Sequence, residues 1–164
     1  MSAQRALEGA TIILIFLQVL MLSATPGLAQ PLPSYGPEVT HETAKKIATA
    51  ALTEAIKRKW PVAVAVVDNH GFLVYYERLD DTQTAGASIA VEKARTAAMF
   101  RRPSRSFDER SKTQVSILGM PGATPITGGL PIVVDGKIVG GIGVSGMAAD
   151  QDEQIAQAGL DGLQ

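Results

Sequence analysis

The chain has 164 residues, 46% of them apolar and 19% charged, which accommodates one packed domain and an extension. A net charge of −1 gives no electrostatic basis for binding nucleic acid or an anionic membrane. With no cysteine, disulfides, thiolate catalysis, Cys-ligated zinc and iron–sulfur clusters are excluded.

Residues 1–29 form a separate object. Thr11 to Leu22 is an apolar run broken only by Gln18, with Arg5 before it and Pro26-Gly27-Leu28-Ala29 after it. The run falls short of the ~20 apolar residues that a membrane span needs. Small residues at Gly27 and Ala29 fit a secretory signal cut before Gln30, which places the mature protein in the periplasm or outside the cell. Residues 30–39 carry three prolines, a serine and a glycine, and read as a loose leader. The folded domain is expected over 40–164.

Thr40 is the expected N-cap of a first helix, on which Ile47, Ala48, Ala51, Leu52, Ala55 and Ile56 recur at helical spacing to about Lys59. Pro61 stops it. Val62 to Val67 reads as a buried strand, Asp68-Asn69-His70-Gly71 as a turn, and Phe72 to Arg78 as the partner strand. A second helix is expected over Gly86 to Arg102, closed by Pro103. Ser104 to Leu118 predicts a short polar helix, and Gly119 to Gly129 a loop. Strands over 130–135 and 137–145 flank Asp135-Gly136, a dipeptide suited to the positive φ angles of a two-residue hairpin. A last helix follows from about Asp150 to Leu160. Hairpins separated by helices predict an α+β fold, an antiparallel sheet from two hairpins backed by helices.

The glycines Gly140, Gly141, Gly143 and Gly146 weaken a strand, so another backbone or a ligand is expected to come close there. Gly141 to Gly146 matches the dinucleotide fingerprint by letter but lacks the strand–turn–helix context. Two histidines, His41 and His70, do not make a tetrahedral metal site, although one His, Met or Tyr is enough for an axial haem ligand. His70 sits at a hairpin tip, where a solvated turn residue is the plain reading. His41 sits at a helix start beside the leader, where it could close over a pocket. Met99, Met120, Met147, Tyr75 and Tyr76 stay open as further ligands. Seven basic residues between Lys93 and Lys112 read either as a solvated helix face or as a clamp for carboxylates. Ser145 lacks the strand-to-helix elbow of a hydrolase nucleophile.

Four segments in order carry a family resemblance: Ala65-Val66-Val67-Asp68-Asn69-His70-Gly71-Phe72-Leu73; Ala90-Val91-Glu92-Lys93-Ala94-Arg95-Thr96-Ala97; Gly128-Gly129-Leu130-Pro131-Ile132-Val133-Val134-Asp135-Gly136; and Gly140-Gly141-Ile142-Gly143-Val144-Ser145-Gly146. Together with Asp152 and Ile155-Ala156 they resemble the GlcG/HbpS family, shared with the C-terminal domain of PduO-type cobalamin adenosyltransferases. The resemblance implies a profilin-like α+β domain that forms homo-oligomers and binds haem, with some secreted relatives working beside a membrane sensor kinase. It also implies a rival reading, in which the protein degrades tetrapyrrole or serves an enzyme of small organic acids. On the haem reading, the ligand lies against the glycine-rich strand and the second helix. Lys93, Arg95 or Arg102 stands near the propionates, Gly141 and Gly143 of the glycine strand are further cofactor contacts, and His41 is the expected iron ligand. His70 departs from the family turn, which commonly has two small residues at Asn69-His70.

Overall fold

The computed structural model describes residues 31–163; the expected signal segment and Gln30 lie outside the described residues. The elements are α1 (His41–Arg58), β1 (Ala63–Asp68), β2 (Leu73–Arg78), α2 (Gly86–Phe100), α3 (Arg105–Ser111), a 3-10 turn (Val115–Gly119), β3 (Gly129–Val134), β4 (Lys137–Ser145) and α4 (Ala149–Asp161). The four strands form one antiparallel sheet in the order β2-β1-β4-β3. The fold is the expected α+β arrangement, with the two hairpins joined through β1 and β4. Among the described residues no helix is long and apolar enough to cross a membrane.

Strand periodicity sorts side chains to the two faces of the sheet. Val64 and Val66 of β1, with Ile142 and Val144 of β4, meet Ile47, Ala51 and Leu52 of α1 and Ile155 and Ala156 of α4 in the main core. On the other face, Ala63, Ala65 and Val67 meet Ala90, Ala94 and Ala98 of α2. One face is therefore packed with branched chains and two helices, the other with small residues and one closely seated helix.

Local signals explain the boundaries. Thr40 Oγ1 accepts the Thr43 amide at 3.2 Å, the N-cap bond that opens α1. Asp135 (φ 50°) and Gly136 (φ 72°) both take the positive φ that a tight β3–β4 turn requires. The expected second helix stops at Phe100 instead of Arg102, because Arg101 turns left-handed (φ 57°) and its amide caps the Ala97 and Ala98 carbonyls. A non-glycine residue in that region costs about 1–2 kcal/mol. Arg101 Nη1 donates to the Pro33 carbonyl at 3.2 Å, and its guanidinium lies 5.2 Å from the Tyr35 ring centre.

Those contacts correct the reading of the leader as loose. Beyond Asp68, β1 turns away from β4, and residues 34–39 take the place beside β4 that β1 leaves. The Gly36 amide donates to the Ile138 carbonyl (2.8 Å), the Ile138 amide to the Ser34 carbonyl (2.9 Å), and the Val39 amide to the Val139 carbonyl (2.8 Å). A chain rich in proline cannot complete a ladder, yet one extended stretch of it can still pair along a strand already in place.

Candidate functional site

The basic residues of the second helix do not converge. Lys93 is 1% exposed; its Nζ donates to Asp152 Oδ2 at 2.7 Å and to the Val144 carbonyl at 2.9 Å. Asp152 Oδ1 accepts the Met147 amide at 2.9 Å. Burial pushes the Asp152 carboxyl above the ordinary carboxylate range, and the Lys93 ammonium opposes that rise. The pair ties α2, β4 and α4 together inside the protein. Arg105 instead joins Asp150 and Glu153 on the surface. Arg102 Nε donates to the Phe100 carbonyl, and its guanidinium lies over the Phe107 ring.

Gly141 and Gly143 face α2 and not an open surface. A Cβ at Gly143 would stand 2.0 Å from the Ala90 carbonyl oxygen, and one at Gly141 2.4 Å from that of Ala94. The close partner inferred from these glycines is thus the helix backbone itself. Lys93, Gly141 and Gly143 belong to the interior, so the expectation that a ligand lies against the glycine strand and the second helix is corrected at these residues: α2 itself covers Gly141 and Gly143.

His41 begins α1, exposed, with its ring 6.0 Å from that of Tyr75. It does not line the cleft that the leader creates. That cleft has a volume of about 360 Å³ and is lined by Tyr35, Asn69, His70 and Met99. The leader supplies Tyr35, whose hydroxyl donates to the Met99 carbonyl at 2.6 Å. Met99 comes from the last turn of α2, Asn69 and His70 from the β1–β2 turn. Arg95 Nε donates to the Gly71 carbonyl of that turn at 2.8 Å, while its Nη1 meets Glu92. Arg95 and Arg101 thus bring two cations to residues bordering the cleft. Another hollow, of about 410 Å³ beside Trp60 and Leu79, is lined by no histidine, methionine or tyrosine among the described residues.

The turn is built by Asp68, which is 8% exposed. Its Oδ1 accepts the amides of His70 (2.8 Å) and Phe72 (2.9 Å), so the acid shapes the backbone that presents His70. Asn69 Nδ2 donates to the Gly36 carbonyl at 2.7 Å and fastens the turn to the leader. His70 Nδ1 lies 3.2 Å from Glu38 Oε1, again on the leader. A carboxylate on one ring nitrogen fixes ring orientation and leaves the other nitrogen, Nε2, for a ligand. Tyr35, Glu38 and Asn69 were not singled out as site residues by the sequence. Asn69 lies within the recognisable Asp68-Asn69-His70-Gly71 turn, whereas Tyr35 and Glu38, in the proline-rich leader, carry no sequence signal that ties them to it.

Comparison with known proteins bears on this geometry. The family described as "Haem degrading protein HbpS-like" matches residues 39–161. Protein GlcG of Escherichia coli K12 is 40% identical over 108 residues, which cover 65% of this chain and 81% of that protein. HbpS of Streptomyces reticuli, crystallised as a double mutant, superposes with a TM-score of 0.74 at 33% identity, covering 87% of this chain and 99% of that one. A PduOC:haem complex shares the fold at a TM-score of 0.69 and 24% identity, over 76% of this chain and 94% of that one.

Proposed function

Because this chain belongs to the HbpS-like family of haem-degrading proteins, we propose that it binds haem outside the cytoplasm, for sensing, storage or handling rather than turnover. The observation that carries the reading is His70 in the cleft, with Nδ1 on Glu38 and Nε2 free to ligate iron. Met99 and Tyr35, which line the same cleft, offer further axial ligands. Arg95 and Arg101 are the cations suited to the propionates, since guanidinium groups match carboxylates in bidentate fashion. The apolar run and small-residue site before Gln30 support export. Phe72 (68% exposed) and Leu73 (50%), at the start of the sheet-edge strand β2, support assembly into a homo-oligomer.

Titration of the full chain with haemin, followed in the Soret region, tests this. A saturable, stoichiometric shift is expected, and His70→Ala weakens binding tenfold or more and moves the band. Loss of binding in His41→Ala with His70→Ala intact overturns the assignment and returns the iron to the start of α1. The family description also favours a second reading, degradation. Incubating the complex with ascorbate or peroxide separates the two: a stable Soret band supports handling, and its decay with release of iron supports degradation.

A further inference from the structure

The turn that presents His70 gathers more oxygen than an axial haem ligand needs. Glu38, Asp68 and His70 each place a ligating atom within 4.8 Å of the other two. Atoms held at about 2.0–2.2 Å from one ion can lie no more than about 4.4 Å apart. That limit is reached only by ligands opposite one another; in a tetrahedral site they stand about 3.4 Å apart, so the widest pair must close by up to ~1.4 Å. The Glu38 and His70 side chains are 60% and 64% exposed, which leaves them room to make the adjustment. Asp68 is fixed, with Oδ1 occupied by two backbone amides, and no hydrogen bond to its Oδ2 occurs among the described residues.

A second observation points the same way. Asn69 lies between Asp68 and His70, is 8% exposed, and lines the cleft. Its Nδ2 faces the Gly36 carbonyl, which fixes the amide and leaves Oδ1 buried without a donor. A buried acceptor in that state costs about 1–3 kcal/mol. That unsatisfied acceptor stands in the turn that carries two of the three ligating residues. An exposed acid–imidazole pair contributes only ~0–1 kcal/mol, so stability does not account for the arrangement.

From this geometry we infer a site for a divalent first-row transition metal ion, held by Glu38, Asp68 and Nδ1 of His70. Two carboxylates and an imidazole, with no sulfur, suit Mn²⁺, Fe²⁺, Co²⁺ or Zn²⁺. The site shares His70 with the haem proposal but does not rest on it, since it uses the opposite ring nitrogen and two acids that no haem contact requires.

The test is a CoCl2 titration of the full, haem-free chain, followed by visible absorbance and calorimetry. One saturable site is expected, weakened tenfold or more in both Glu38→Gln and Asp68→Asn. Asp68→Asn keeps an Oδ1 acceptor for the turn, and far-UV circular dichroism shows whether it folds. Should it not fold, Glu38→Gln decides alone, since that side chain is exposed. Uptake without saturation overturns the site, as does parent-like binding by the folded variants. His70→Ala removes a residue that both proposals use and is expected to weaken both ligands; Co²⁺ weakened with haem retained supports the metal site and removes the haem ligand, and haem weakened with Co²⁺ retained overturns the metal site.

Discussion

Two pairs of opposite charge type stand at different depths in this protein, and they do different things. Lys93 and Asp152 are each 2% exposed at the side chain, and every bond they make goes to each other or to backbone. His70 and Glu38 are 64% and 60% exposed, and His70 lines a cleft. The buried pair cannot exchange its partner for a ligand without opening the contact of α2 with the sheet. The exposed pair can change partners at little energetic cost. A basic residue within a recognisable motif is therefore not by itself a ligand contact; the depth at which the fold places it decides.

The largest expected effect comes from breaking the inner pair. Lys93→Met leaves Asp152 buried without its counter-charge, a change that typically costs about 3–5 kcal/mol. Urea denaturation of the full chain measures it. Replacing both residues, Lys93→Met with Asp152→Leu, removes the orphaned charge and is expected to recover most of the loss. If the double variant is as unstable as the single one, the pair is not a self-contained unit and the contrast with the outer pair weakens.

A smaller effect tests the seam that keeps the inner pair covered. Gly143→Ala sets a methyl group 2.0 Å from the Ala90 carbonyl, which the helix can relieve only by lifting from the sheet. Overpacking of this kind costs about 1–3 kcal/mol. The stability loss should come with faster amide exchange along Ala90–Ala98. Parent-like stability with altered haem affinity would restore Gly143 to a ligand-facing role.

The elements were legible in the sequence because each carries local chemistry. Thr40 caps, Asp135-Gly136 turns, and the unbroken apolar run of β1 marks a strand buried on both faces. The glycines announced a close approach but could not say to what: Ala90 and Gly143 are far apart in the chain, and only the three-dimensional path of α2 brings them together. Lys93 illustrates the same limit. In sequence it is one of seven basic residues, and its partner Asp152 is 59 positions away. The cleft was least legible, since its Tyr35 comes from a leader whose proline content masks an extended path along β4. Asp68 and His70 stood in plain view as turn residues, while Glu38 and Tyr35 reach them only through the Gly36–Ile138 and Asn69–Gly36 bonds.

The smallest change in stability is expected where the consequence for the site is clearest. Glu38→Gln alters an exposed side chain, so its effect on unfolding should stay within ~0.5 kcal/mol. The amide still offers His70 Nδ1 an oxygen acceptor, but without the carboxylate's charge. A carboxylate partner raises the basicity of a ligating imidazole. If His70 holds haem iron as proposed, loss of that carboxylate would make Nε2 a weaker donor to ferric iron, and the reduction potential of the haem complex should move to more positive values. Spectroelectrochemistry of the parent and Glu38→Gln complexes checks the direction. A potential that does not move means that His70 ligates without help from Glu38, or that another residue holds the iron. The contrast with Lys93→Met would then rest on burial alone, because only the inner pair would have been shown to depend on its partner.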